Sequence, residues 1–311
     1  MALKNKKGMI FTLMVIALLT FFIIVYSGYS LIKDRAPITK RINTLNSFVA
    51  SVEQDIPRHL FISGYRTIFV LQQYTLDNYD YISDFNQSVE EIFFNGSLYG
   101  EQNHLMDDGK FSDILYSLNL NANKINAEVF LDNPEITLTM KDPWNMQFSL
   151  NVTLFIQDKS NLASWNRSAY FESLIPINTF LDPLYHIETS GKVTVQINQT
   201  PYSNFVLGAD YTNLTNHFSN SYYKESISAP SFLNRLQGDL SANTNGIESI
   251  VYPQLLADRG LSVKYKSLID YIYFSSSDPT AYSIPAVSNL ILDDEDNHLI
   301  IYNVSGVAVP I

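Results

Sequence analysis

Residues Gly8 to Ile32 read GMIFTLMVIALLTFFIIVYSGYSLI, and no Asp, Glu, Lys, Arg or His interrupts them. In helical form, twenty-five residues rising ~1.5 Å each extend ~37 Å, enough to cross the ~30 Å hydrocarbon core of a bilayer with some tilt. Lys6-Lys7 precedes the run and Lys33 follows it. A cleaved secretory signal carries a shorter apolar region, ~7–15 residues, and then a small-x-small site. Here Ser27-Gly28-Tyr29-Ser30 leads straight to Lys33-Asp34-Arg35 and provides no such site. The stretch predicts one membrane helix, represented along its length by Met9, Phe21 and Ile32, with the lipid bilayer as its partner.

Lys6-Lys7-Gly8-Met9 followed directly by the apolar run resembles the processing site of archaeal type IV pilin-like proteins with class III signal peptides. The resemblance covers the N-terminal ~50 residues. It implies cleavage between Gly8 and Met9, with the apolar helix kept on the mature chain. It also implies assembly with copies of the chain, or with other surface subunits, through that helix. The family usually has Glu at the fifth mature position, and this sequence has Leu13 there. Segments around Asp142-Pro143-Trp144 and Asp182-Pro183-Leu184-Tyr185 are similar to surface proteins of the same kind and imply surface exposure only.

The remaining composition suits an ectodomain. Charged residues make up 16% of the 311, against ~25% in ordinary soluble proteins. Amides, hydroxyls and aromatics, including 20 Tyr and 19 Phe, take their place. The net charge is −11, and no basic stripe is present, which argues against nucleic-acid binding. Cysteine is absent, so disulfides, thiolate metal sites and a cysteine nucleophile are excluded. Lys4, Lys6 and Lys7 favour a cytoplasmic N-terminus and an external large domain, although Lys33, Arg35, Lys40 and Arg41 follow the span. Sequons at Asn86, Asn95, Asn151, Asn166, Asn198, Asn213 and Asn303 agree with that side and are candidate glycosylation sites.

Along the chain the reading is α+β: a tail (1–7), the membrane helix (8–32), a neck helix (33–56), a helical region (57–127) and an antiparallel β-sandwich-like head (128–311). In the neck, Ile38, Ile42, Leu45, Val49, Val52 and Ile56 recur at steps of four and three, the spacing of a helical packing seam. That seam packs either on the protein's own core or on a neighbouring helix. Pro37 kinks the rod or starts a new helix, and Pro57 breaks or bends it. Further amphipathic helices are predicted over 58–76, 80–95 and 111–127. Near Glu128 the period changes from 3.6 to 2. Met146 to Ile156 alternates, apolar on even positions, with Asp142-Pro143 as the turn before it. Later strands are expected at 169–177, 192–198 and 205–207. A short helix is expected near 229–236, and a hairpin over 289–304.

Chemistry is sparse. The five histidines never stand three or four apart, and no phosphate loop, G-x-S-x-G or H-E-x-x-H occurs. The reading is therefore not an enzyme, an envelope hydrolase being the alternative. Asp293, Asp294, Glu295 and Asp296 crowd one turn and are candidate Ca²⁺ ligands, against the plainer reading of a solvated turn; no other cofactor is implied. Trp144 and Trp165, near adjacent strands, form a candidate aromatic surface for glycans, against the plainer reading that they cap the core edge. The functional expectation is a single-pass, pilin-like cell-surface protein with a structural or adhesive role. The alternative is a monomeric anchored ligand-binding ectodomain.

Overall fold

A computed structural model describes the backbone of residues 6–311 and the side chains of 8–29 and 38–311. Its first element, α1 (Lys6–Asn78), is one helix of 73 residues. No new helix starts at Pro37, and Pro57 does not break the element. A proline inside a helix forfeits one hydrogen bond and crowds the preceding turn, at ~3 kcal/mol or more. Around Pro57 tertiary burial outweighs that cost, because Ile56 and Leu60 on either side are both fully buried. The helix ends at Asn78, and Tyr79 then adopts a left-handed φ of 55°.

The chain then forms α2 (Phe85–Asn95), β1 (Ser97–Leu98), β2 (Glu101–Gln102) and α3 (Phe111–Lys124). Helix α2 starts later than residue 80 because Asp84 sits in the left-handed region just before it. Its expected apolar face is the observed one, with Phe85, Val89, Ile92 and Phe93 buried. Three long strands follow: β3 (Ala127–Asp142), β4 (Asn145–Asp158) and β5 (Ser164–Pro176). They form a three-stranded sheet in the order β3-β4-β5, and the two-residue β3–β4 turn makes that pair antiparallel. Burial in β4 alternates as the sequence implies, with Met146, Phe148, Leu150, Val152, Leu154 and Ile156 inside.

Strand β3 changes phase midway. Ala127, Val129 and Leu131 are buried on odd positions, Ile136 and Leu138 on even ones. The slip falls at Asn133, whose φ is +51°, followed by Pro134. One extra residue in this conformation is what a β-bulge inserts, and an edge strand tolerates the proline.

The remainder holds short elements: α4 (Pro183–Glu188), α5 (Thr212–Ser219), β6 (Tyr223–Glu225), α6 (Phe232–Leu236), β7 (Ile247–Ser249), α7 (Pro253–Ala257), α8 (Asp270–Phe274), β8 (Ala281–Ser283), β9 (Ile291–Asp293), α9 (His298–Ile301) and β10 (Val309–Pro310). Their sheets are small: β6 pairs β7, and β8 lies between β10 and β9, all antiparallel. The expected strands at 192–198 and 205–207 form only isolated bridges. The expected C-terminal hairpin is absent from the described residues. Asp296 and Asn297 take left-handed φ values of 52° and 64°, residues 298–301 coil into α9, and β9 pairs with β8 instead. The head is thus a mixture of helices and antiparallel sheets.

Backbone contacts divide the chain into two compact units. The first comprises residues 1–55, 115–132 and 153–167, the second 56–114, 133–152 and 168–311. In the first unit, Leu45 and Val52 are buried, Ile42 and Val49 half-buried, and Ile38 exposed. Arg41 anchors this part of α1: its Nε donates to Asp158 Oδ1 at 3.1 Å and its Nη2 to the Asn126 carbonyl at 3.0 Å. Arg167 pairs with Glu53. In the second unit α1 lies hard against the sheet at Gly64, where an added Cβ would stand 2.6 Å from Ile175 Cδ1 and 2.8 Å from Phe148 Cγ.

Candidate functional site

Among the described residues, one helical segment, Gly8–Tyr29, is long and apolar enough to cross a membrane; its mean hydropathy is 2.8 and none of it is buried. Met9, Phe21 and Ile24 are 74%, 65% and 70% exposed. Its threonines are internally satisfied: Thr12 Oγ1 donates to the Gly8 carbonyl at 2.7 Å and Thr20 Oγ1 to the Ile16 carbonyl at 2.8 Å. That removes two donors that hydrocarbon would penalise. Gly8 and Met9 both lie on the exposed helix. The side chain of Ile32 lies outside those described.

The second unit contains two buried charge clusters that sequence reasoning missed. In one, Arg235 Nη1 donates to Asp182 Oδ2 at 2.6 Å and to Asp270 Oδ2 at 2.9 Å, all three side chains fully buried. The Tyr223 hydroxyl donates to Asp182 Oδ2 at 2.7 Å, and the Ser249 hydroxyl to Asp270 Oδ2 at 2.8 Å. Local rules place these groups. Asp182 caps α4 by accepting from Leu184 N at 2.9 Å, Pro183 fills the first turn, and Ser231 caps α6. Burial opposes the charge on Arg235, but the two carboxylates overcome it and raise its pKa. Burial raises Asp270, with Arg235 working in the opposite direction.

In the other cluster, His298 Nδ1 meets Asp293 Oδ1 at 2.7 Å and Nε2 faces Glu248 Oε2 at 3.6 Å. The Tyr302 hydroxyl donates to Glu248 Oε1 at 2.9 Å. Burial pushes the imidazole down, yet its bonds to Asp293 and Glu248 win and lift it to about 10. Burial raises Glu248, and His298 brings it below its ordinary value. Both clusters are sealed from solvent, so their direct role is to hold β7, α4, α6, α8 and β9 together. The only local sequence hints were Asp182-Pro183 and the acidic turn; apart from Asp293 and His298, five positions apart, the hydrogen-bonded side-chain partners lie 21 to 54 positions apart.

The carboxylates of the acidic turn are engaged by different partners within the protein. Asp293 is buried and binds His298 and Ser267, Asp294 accepts from the Tyr282 hydroxyl at 3.0 Å, and Asp296 accepts from Tyr271 at 3.3 Å. Glu295 is exposed. Among the described residues no three His, Asp or Glu side chains converge for a metal.

Trp144 belongs to the second compact unit and Trp165 to the first. In sequence, Trp144 immediately precedes β4 and Trp165 stands at the start of β5. Trp144 alone, half-buried in the β3–β4 turn, borders an open groove with Tyr222, Asn145, Asn178, Asn198 and Gln199. Of the sequons, Asn86, Asn95, Asn151, Asn166, Asn198 and Asn303 are exposed and Asn213 is half-buried. The hydroxyls of Ser88 and Ser97, which complete the first two, turn inward to Ser83 O and Glu91 Oε1.

Comparison with protein-family models, with curated proteins and with solved structures finds no match to this chain.

Proposed function

We propose that this chain is a single-pass, N-terminally anchored surface protein of pilin-like build, its N-terminus inside and its large part outside, serving a structural or adhesive role. One observation carries the reading. Gly8–Tyr29, apolar and wholly exposed, is the start of the same helix whose later turns at Leu45, Val52, Ile56 and Leu60 are buried in folded protein. A helix apolar on every side has no stable place in water, and a bilayer supplies the missing partner. Lys6-Lys7-Gly8-Met9 at its head supports processing between Gly8 and Met9.

A second reading, a monomeric anchored ectodomain, draws on the neck. Leu45 and Val52 are already covered by the chain itself, leaving less of the seam for a neighbour, and Leu13 occupies the family's Glu position. Intact mass and N-terminal sequencing of protein purified from its own membrane test the pair. A mature start at Met9 supports the pilin-like reading. A start at Met1 or Ala2 removes it and leaves the simple anchored ectodomain.

A further inference from the structure

The groove beside Trp144 encloses about 730 Å³, within the range of ligand sites. Its wall has an unusual chemistry: two aromatic rings, four amide side chains and two prolines, with no charged side chain. Two of the amides are engaged, Asn145 donating to the Asp142 carboxylate at 3.0 Å and Asn198 to the Gln196 carbonyl at 3.4 Å. Among the described residues, the Trp144 indole N–H, the Tyr222 hydroxyl and the side-chain amides of Asn178 and Gln199 have no hydrogen-bond partner. The backbone beneath is fixed, since Ile177 N donates to the Trp144 carbonyl at 3.0 Å and Tyr223 N to the Asn198 carbonyl at 2.8 Å.

Such a wall selects by exclusion. A charged ligand finds no counter-charge there, and a purely apolar one leaves the amides facing it without partners. A neutral sugar satisfies both halves of the surface. Its C–H faces lie on the aromatic rings, and its hydroxyls exchange hydrogen bonds with amides that donate and accept. We propose that this groove binds a neutral saccharide, reaching it either as a separate glycan or as a glycan carried by the chain's own Asn198, whose sequon opens on the same groove. The proposal does not depend on how the chain is anchored or processed.

The test uses the full chain, made in a bacterial host without N-glycosylation and held in a detergent lacking a sugar head group. Hexamers of glucose, mannose and N-acetylglucosamine are titrated by calorimetry. In a Trp165→Phe background, where Trp144 is the sole tryptophan, fluorescence is followed as well. Saturable binding by at least one hexamer is expected, with a matching change in Trp144 emission. Trp144→Ala abolishes the calorimetric signal, and the double variant Asn178→Ala, Gln199→Ala weakens it at least tenfold with the melting temperature unchanged.

A second arm examines protein from the native membrane. A glycan found on Asn198 by peptide mass, together with loss of binding to added hexamers, identifies the chain's own sugar as the occupant. The proposal is overturned if no hexamer binds and Asn198 is bare. It is equally overturned if binding survives these substitutions, or if only a sulfated saccharide or a proline-rich peptide binds.

Discussion

Arg235 neutralises one of two carboxylates that share its buried site, and hydroxyls from Tyr223 and Ser249 share the remaining charge. Replacing it by Met removes the cation bonded to Asp182 and Asp270 and leaves both in a dry interior. The expected loss is about 3–5 kcal/mol, read as a fall in denaturation midpoint. Asp270→Asn should cost less, because Arg235 retains Asp182; equal midpoints for wild type and Arg235→Met would show that the cluster holds nothing together. His298 gives the stability curve its alkaline limb. Its folded pKa of about 10 lies above the ordinary value of 6.5, so the folded state keeps a proton that the unfolded state releases. The stabilisation is complete below pH 6.5 and disappears as the pH rises through about 10. Glu248, held below its ordinary value, acts oppositely: its share is present above the unfolded carboxylate range and declines on acidification. Denaturation midpoints measured from pH 5 to 11 should fall across the alkaline half, and His298→Gln should flatten that fall.

At the scale of elements, what was legible in the sequence followed from period and packing together. The alternation of β4 and the buried face of α2 were readable because one side of each is continuously apolar. The unbroken α1 was not readable: the proline penalty is local, whereas the burial of Ile56 and Leu60 that offsets it is a property of the folded chain. The C-terminal hairpin failed for a related reason. His298-Leu-Ile-Ile suits strand and helix alike, and left-handed backbone at Asp296 and Asn297 decided for α9. The neck seam makes a sharper case. Its spacing was the same whether it packed on a neighbour or on itself, and the burial of Leu45 and Val52 favours the chain's own fold. Leu45→Ala should therefore lower stability by about 2–5 kcal/mol, a cavity cost seen in chemical denaturation. If that variant kept its stability and lost only an oligomeric state in sedimentation, the seam would belong to an interface between chains.

For the whole molecule, the long apolar segment was the most legible feature, since length and apolarity need no tertiary knowledge. The buried clusters and the saccharide groove were the least legible, since Trp144, Asn178, Asn198 and Tyr222 meet only through the fold. The same contrast yields a prediction about how the two kinds of feature depend on each other. No part of Gly8–Tyr29 is buried by the rest of the protein, so the folded part draws no packing energy from it. The charge clusters and the sheet core all lie beyond it. A chain beginning at Ser30 should therefore leave the membrane fraction for the soluble one and melt within ~2 °C of the full chain in detergent, a shift that in a protein of this size corresponds to about 1 kcal/mol. The truncation keeps Arg41, whose bond to the buried Asp158 holds that carboxyl below its ordinary value. Removing Arg41 as well should uncover a further loss, because Asp158 would then be buried without its cation. A truncated chain that melted far lower with Arg41 intact would mean that the apolar helix supports the fold directly, and its role as an independent membrane anchor would have to be abandoned.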